Sequence, residues 1–134
     1  MTDLTKYNGE KCILDHIELH IEDKVGILGV NGTGKSTLLK IIAGVEDYQG
    51  KMSYQKDIRI NYLPQTPLYD ENDSIMETVH KQLDSKEIHD YEIKAQLGKF
   101  GILDETQKIK ELSGGQLKRV ALAIALIKPC DLLI

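Results

Sequence analysis

The sequence contains no tryptophan, one phenylalanine, three prolines and only two cysteines among its 134 residues. Cys12 and Cys130 lie far apart and match no metal-ligand or redox spacing, which excludes the common cysteine-based metal and redox motifs. We expect both to be small, buried, apolar side chains. The sequence also lacks an apolar run long enough to span a bilayer, and no basic segment leading into an apolar stretch follows Met1. We therefore predict a soluble, cytoplasmic chain without direct membrane insertion.

The charge balance narrows the class of protein further. The net charge is −4 and the pI is near 5.5, so the chain lacks the basic footprint of a free-standing nucleic-acid binder. A larger parent protein could still carry a basic surface elsewhere. The length allows one small domain, or part of one, with a single hydrophobic core.

Alternation of apolar and polar residues predicts strands in the first half of the chain. Residues 11–21 and 58–63 alternate with a period of two, which is typical of half-buried strands, and Pro64 ends the second. Residues 25–29 form a short continuous apolar run, which predicts a strand that is covered on both faces. Helical spacing over 35–43 predicts a helix that ends at Gly44.

The second half of the chain is predicted to be mainly helical. Ser74 and Glu77 match a capping box, so we expect a helix from Ser74 to about Leu83. Apolar residues recur at helical spacing over 86–99 and 114–128, and Pro129 limits the second helix. Residues 131–134 begin an apolar run, which we interpret as the start of a strand.

A phosphate-binding loop is the first motif that carries chemistry. The segment satisfies the pattern G-x-x-x-x-G-K-[ST] between a predicted buried strand and a predicted helix. Its residues are Gly29, Val30, Asn31, Gly32, Thr33, Gly34, Lys35, Ser36 and Thr37. Backbone N–H groups of such a loop surround a phosphate, Lys35 would reach the β- and γ-phosphates, and the Ser36 hydroxyl would ligate Mg²⁺. The alternative is a glycine-rich turn that matches by chance, which the surrounding strand and helix pattern disfavours.

A second motif, LSGGQ at residues 112–116, selects among phosphate-loop proteins. With the following segment it closely resembles the signature and signature helix of ATP-binding cassette (ABC) proteins. Three further resemblances occur in the expected order. Tyr7 corresponds to the aromatic residue that stacks on adenine, Asn31 fits a common variant of the loop, and Gln65 resembles the glutamine that contacts Mg²⁺ and the attacking water. The alternative for Tyr7 is a surface tyrosine.

The resemblance covers essentially all 134 residues and implies an architecture. It implies an α/β fold with a P-loop NTPase core, an antiparallel β-subdomain and an α-helical subdomain, ending before the end of the Walker B strand. Residues 1–65 would form the β-subdomain and P-loop core, 66–115 the helical subdomain, and 116–134 the signature helix and the start of that strand.

The resemblance also implies a partner and a cofactor. Two such domains would face each other head to tail, in the same chain or as a homodimer, with ATP and Mg²⁺ bound between them. The signature residues would then act on the nucleotide of the partner; these are Ser113, Gly114, Gly115 and Gln116. ATP would close the pair and hydrolysis would release it.

The catalytic carboxylates that the resemblance implies follow the strand that begins near Asp131. Asp131 precedes that strand and is not the Mg²⁺-associated aspartate, and all four histidines lie before the expected position of the switch histidine. No catalytic residue is therefore assigned within the chain, although Gln65 assists in the family. We predict that the chain is part of a longer ATP hydrolase, that it hydrolyses little ATP itself, and that its exposed central strand favours self-association.

Two kinds of ABC protein remain open. The first kind is the soluble ABC-F-like protein, which carries two cassettes and acts on the ribosome during translation. The sequence resembles such proteins at residues 62–65, 112–123 and 132–134. Only 47 positions separate Gln65 from Leu112, which leaves no room for the long helical arm of many ABC-F proteins. The alternative is the nucleotide-binding subunit of a membrane transporter, with transmembrane subunits as partners. A stand-alone nucleotide-binding module is the third choice.

Overall fold

The computed structural model describes residues 1–83 and 88–134. They divide into two units, residues 1–60 with Ile134 and residues 61–133. The strands are β1 (Thr2–Asn8), β2 (Lys11–Ile17), β3 (Gln49–Lys51), β4 (Ile60–Asn61) and β5 (Leu132–Leu133). The α-helices are α1 (Lys35–Ile42), α2 (Ile75–Gln82), α3 (Asp90–Lys99) and α4 (Gly114–Ile127), and a 3₁₀ turn spans Ile109–Glu111. The three-part division of the domain at residues 65 and 115 stays a prediction.

The first unit contains a three-stranded antiparallel sheet in the order β2-β1-β3. The hairpin between β1 and β2 turns at Gly9, whose positive φ of 61° suits a residue without a Cβ. Leu4 and Leu14 are buried on the sheet, and α1 buries one face of its own. The buried residues of α1 are Leu38, Ile41 and Ile42. Since these lie at helical spacing, the prediction of a helix over 35–43 is confirmed.

Three strand predictions in this part of the chain need correction. Residues 25–29 form no strand, and Val25 is 51% and Leu28 96% exposed. A strand covered on both faces needs hydrogen-bonded neighbours, and no strand in residues 1–83 or 88–134 pairs with this segment. The strand predicted over 11–21 ends at Ile17, after His16 adopts a positive φ of 47° that breaks the extended backbone. The strand predicted over 58–63 is limited to β4.

The burial predicted for the two cysteines is also wrong at Cys12. Cys12 is exposed and Cys130 is partly buried. Cys12 is the second residue of β2, next to the hairpin turn, whereas Leu14, two residues further along on the same face, is buried.

The second unit is built around the helices α2, α3 and α4. Their apolar faces meet in one core, together with the loops before and after the 3₁₀ turn. The members of this core are Ile75, Val79, Leu83, Ile93, Leu97, Ile102, Ile109, Val120, Ala123 and Ile124. The two-stranded sheet belongs to this unit through Asn61 of β4 and through β5.

The helix starts predicted at Ser74 and at residue 114 are confirmed. The Ser74 Oγ accepts a hydrogen bond from the Glu77 N–H at 3.2 Å, and the Ser74 N–H donates to the Glu77 carboxylate at 2.7 Å. This is the reciprocal bonding of a capping box. The helix predicted over 86–99 is observed from Asp90 to Lys99 as α3; residues 86 and 87 lie outside the described residues, and residues 88 and 89 are not helical. The helix predicted over 114–128 ends one residue earlier than expected, at Ile127.

Candidate functional site

The phosphate loop has the backbone conformation that its glycines were expected to provide. Gly32 and Gly34 have φ values of 84° and 87°, in the left-handed region that residues with a Cβ rarely adopt. Gly29 is needed for a different reason. A Cβ at Gly29 would lie 3.0 Å from the Thr33 Oγ1, so the side chain of Thr33 occupies the space that the glycine leaves.

Gly34 also brings the end of the loop against β2. A Cβ at this position would lie 3.0 Å from the Leu14 Cδ2 and 3.1 Å from the carbonyl oxygen of Ile13. The loop therefore rests directly on the sheet of the first unit. The motif pattern did not reveal this contact, because it specifies the glycine but not the neighbour that the glycine approaches.

Lys35 lies folded over the loop that it follows. Its Nζ donates hydrogen bonds to the carbonyl oxygens of Gly29 and Val30, both at 2.7 Å. The Thr33 hydroxyl donates to the same Val30 oxygen at 2.8 Å. The ammonium group is thus held at the centre of the loop, and the acceptor role of Val30 was not foreseen from the sequence.

The amino end of α1 is open to an anion. Its N-cap residue is Gly34, which supplies no side-chain hydrogen bond, and the first turn contains no acidic residue. The first N–H groups of a helix have no partner within the helix, and they carry the positive end of the helix dipole. Together with the ammonium group of Lys35, this end can bind a phosphate group, with the exposed Ser36 hydroxyl beside it.

Tyr7 and Gln65 lie on the surface of their units. Tyr7 is in β1, opposite Cys12 in the sheet register, and is 49% exposed. Gln65 is exposed in the segment that follows β4. Both side chains are therefore available to a ligand. Stacking of Tyr7 on adenine and contact of Gln65 with Mg²⁺ stay predictions.

The signature residues form the first turn of α4. The Ser113 Oγ accepts from the Gln116 N–H at 3.2 Å, and the Gln116 Oε1 accepts from the Ser113 N–H at 2.9 Å. A Cβ at Gly114 or Gly115 would meet no atom within 4 Å, and neither residue has a positive φ. Packing among residues 1–83 and 88–134 therefore does not require glycine at either position.

One partly buried hydrogen bond from a side-chain amide connects the signature helix to the segment that carries Gln65. The Asn61 Nδ2 donates to the carbonyl oxygen of Ala125 in the last turn and a half of α4, at 2.7 Å. Asn61 is partly buried and Ala125 is buried. The motif search did not find Asn61, because a single asparagine after a short strand has no pattern that distinguishes it.

The phosphate loop and the capped signature turn follow each other along the chain in the order that the motifs predict. Comparison with known proteins supports the same family. The family model described as ABC transporter matches residues 14–134. The chain belongs to the ABC transporter family. Members of this family are ATPases that bind ATP, typically with Mg²⁺, and whose domains form dimers.

Relatives and structures of the ABC family support this membership. The chain is 34% identical to the ABC transporter ATP-binding protein YfmR of Bacillus subtilis, covering 98% of this chain and 28% of that protein. It is 33% identical to the energy-dependent translational throttle protein EttA of Escherichia coli K12, covering 83% of this chain and 27% of EttA. The chain thus spans about a quarter of the length of these curated relatives.

A solved ABC structure shows the fold. An ABC transporter ATP-binding protein from Pyrococcus furiosus has a TM-score of 0.80 and 25% identity, covering 98% of this chain and 71% of that one. The fold is therefore that of an α/β P-loop ABC ATPase domain. In the part of the chain that the structure describes, no helix combines the length and apolar character needed to cross a bilayer.

Proposed function

We propose that residues 29–37 bind the triphosphate of ATP and that Lys35 is the principal cation of the site. The observation that carries this proposal is the position of the Lys35 ammonium group, within hydrogen-bond distance of two carbonyl oxygens of its own loop. The two carbonyl oxygens are neutral acceptors. The ammonium group would form stronger hydrogen bonds with charged phosphate oxygens than with these carbonyl oxygens, because hydrogen bonds between two charged groups are stronger. Tyr7, Asn31, Gly32, Thr33, Gly34 and Thr37 complete the proposed site.

Ser36 and Gln65 are the residues that we propose for Mg²⁺. A hydroxyl and an amide oxygen are neutral hard ligands, which suit a Mg²⁺ that keeps several waters and binds the phosphates at the same time. Both side chains are exposed, so neither is buried by packing within its own unit. Bound Mg²⁺ neutralises charge on the phosphates and orients them.

We also propose that residues 113–116 contact the nucleotide of a second ABC domain. Glycine is unfavourable in a helix, yet Gly114 and Gly115 have free space around them in this chain. Close approach of a group from outside the chain accounts for two residues without side chains at an exposed helix start. In the longer protein, ATP binding would bring two such domains together and hydrolysis would separate them.

A binding experiment tests the nucleotide site. Titration calorimetry of the purified protein with Mg-ATP should show binding, and Lys35→Ala should weaken it by at least about tenfold, because a charge-assisted hydrogen bond is lost. Lys40→Ala is the matched control, since Lys40 also lies in α1 but contacts Glu46 at 3.4 Å, away from the loop. Unchanged affinity in Lys35→Ala would overturn the proposal.

For the cellular role, we propose a cytoplasmic, ABC-F-like ATPase that acts with the ribosome. The similarity to EttA, a protein named for its effect on translation, supports this choice. The purified protein, or the longer protein that contains it, should co-sediment with bacterial ribosomes more strongly with ATP than with ADP. The Lys35→Ala variant should lose this difference between nucleotides.

The second candidate is the nucleotide-binding subunit of a membrane transporter. It is favoured by the P. furiosus ATP-binding protein, because the chain covers 71% of that single-cassette-sized structure rather than about a quarter of a longer relative. Absence of ribosome binding, together with co-purification of integral membrane subunits after mild detergent extraction, would favour this candidate over the first.

A further inference from the structure

The turn at residues 30–33 is closed by a side chain. The Thr33 hydroxyl donates to the Val30 carbonyl oxygen at 2.8 Å, three residues earlier in the chain. In an ordinary turn of this length, the backbone N–H of the fourth residue donates to that oxygen. Among the residues that the structure describes, the Thr33 N–H makes no backbone hydrogen bond of normal geometry. The hydroxyl has taken the place of the amide.

The Val30 oxygen has no remaining lone pair for the amide. A carbonyl oxygen accepts two hydrogen bonds along its lone-pair directions. Here one comes from the Thr33 hydroxyl and the other from the Lys35 Nζ at 2.7 Å. The Thr33 N–H is therefore kept away from the acceptor that it would otherwise use, and it stays available at an exposed position of the loop.

The Thr33 hydroxyl can stay on the Val30 oxygen when Lys35 moves. When the ammonium group turns from the two carbonyl oxygens to a phosphate, the hydroxyl still closes the turn, so the Thr33 amide is not needed to close it. Without the hydroxyl, the Thr33 amide is the group of this turn that can donate to the Val30 oxygen. A backbone amide bound within the turn is lost as a donor to an anion.

We propose that Thr33 is a positioning residue of the phosphate loop, whose hydroxyl satisfies Val30 so that the Thr33 amide remains a donor to a phosphate oxygen. This inference rests on the proposed binding of ATP and adds one element to it. The side chain acts through the backbone and not by touching the nucleotide. The class of ligand that it serves is a polyphosphate, independent of base or sugar.

Two substitutions separate this role from a packing role. Thr33→Val keeps the shape of the side chain and removes the donor, whereas Thr33→Ser keeps the donor and removes the methyl group. Binding of Mg-ATP and of inorganic tripolyphosphate is measured by calorimetry. Thr33→Val should weaken both by about tenfold, the loss expected for one amide-to-phosphate hydrogen bond, and Thr33→Ser should stay within about threefold of the native protein.

Two measurements without ligand provide a readout that packing alone would not move. In Thr33→Val the amide of residue 33 should exchange with solvent more slowly than in the native protein and in Thr33→Ser, because it closes the turn itself. Thermal unfolding of Thr33→Val should be nearly unchanged, since one donor replaces another.

The outcomes distinguish this inference from the proposed function. If the native protein binds ATP, Lys35→Ala binds it at least about tenfold more weakly, and Thr33→Val binds as tightly as native, Thr33 has no positioning role and the nucleotide site stands. Equal weakening in Thr33→Ser and Thr33→Val would also overturn the inference, because the hydroxyl would then not be responsible. If the native protein binds neither ligand, the proposed function itself fails.

Discussion

Ser113 and Gln116 cap the first turn of α4 by exchanging two hydrogen bonds, of 3.2 and 2.9 Å. At the starts of α2 and α3 the same third position is a glutamate, Glu77 and Glu92; each accepts a hydrogen bond from the N–H of its N-cap residue and places an acid in the first turn of its helix. The first turn of α4 contains none. The neutral glutamine provides the cap and leaves the positive helix end uncompensated.

Gln116→Glu should therefore separate capping from attraction of an anion. The carboxylate can make the same cap, so stability should be unchanged or raised by about 0.5 kcal/mol. The negative charge should weaken ATP-dependent pairing with a second domain by about tenfold or more, measured by analytical ultracentrifugation. The reverse exchange in α2, Glu77→Gln, is the control and should leave pairing unchanged. Native-like pairing by Gln116→Glu would contradict the proposed role of the signature.

Gly115→Ala should stabilise the chain and impair the same pairing. Alanine has the higher helix propensity and meets no atom within 4 Å at this position, so the free energy of unfolding should rise by about 0.5 kcal/mol in urea denaturation. The added methyl group would obstruct the approach of a nucleotide from a second domain.

The matched control for this prediction is Gly98→Ala in α3. Gly98 also has free space around its Cβ position and is helical. It should give a similar gain in stability with unchanged ATP-dependent pairing. If both substitutions leave pairing intact, glycine at position 115 has no role in nucleotide contact.

The helical half of the fold could be predicted because its signals are local. The cap at Ser74 and the apolar residues at helical spacing depend on neighbours within four positions, and the structure has them. The strand predicted over 25–29 is absent, because an apolar run becomes a covered strand only beside other strands, and a local pattern does not show whether they are there. In the site, the motif located Lys35 but not the Val30 oxygen that holds it, since hydrogen-bond direction is absent from a residue pattern.

The pKa of His16 should depend on Asp3. The hydrogen bond from the His16 ring to the Asp3 carboxylate is the main cause that raises this pKa, followed by the charges of Asp3 and then Asp15. NMR titration of the ring protons should show the pKa falling in Asp3→Asn. Asp15→Asn should lower it less, because that carboxylate lies 3.6 Å from the other ring nitrogen.

The direction of this pKa shift determines how the pair changes the stability of the fold with pH. Because the pKa of His16 is raised above the usual histidine value of 6.5, the pair stabilises the folded state fully below that pH, and the contribution disappears as the pH rises through the folded-state pKa. Both side chains are exposed, so the effect on stability should be small. A pKa of His16 that is unaffected by Asp3→Asn would show that the pair does not form in solution.

The apolar segment at residues 25–30 should promote self-association. Leu28 is 96% exposed, and burying a leucine side chain contributes about 1.5–3 kcal/mol. Light scattering at increasing protein concentration should show association that Leu28→Ser reduces several-fold. Leu103→Ser is the control, because Leu103 is 87% exposed in a loop of the second unit. Equal effects of the two substitutions would mean that general apolar exposure, and not this segment, causes association.

The hydrogen bond from Asn61 to Ala125 connects one end of α4 to the chain that leads to Gln65. It holds the helix near one end, whereas Ser113 lies twelve residues away at the other, a distance of about 18 Å along the axis. A tilt of about ten degrees at the held end would therefore carry Ser113 through about 3 Å, roughly the length of a hydrogen bond. If α4 tilted as a rigid body together with the core residues packed against it, a displacement of the chain around Gln65 too small to break any contact there would be enough to make or break one at the signature.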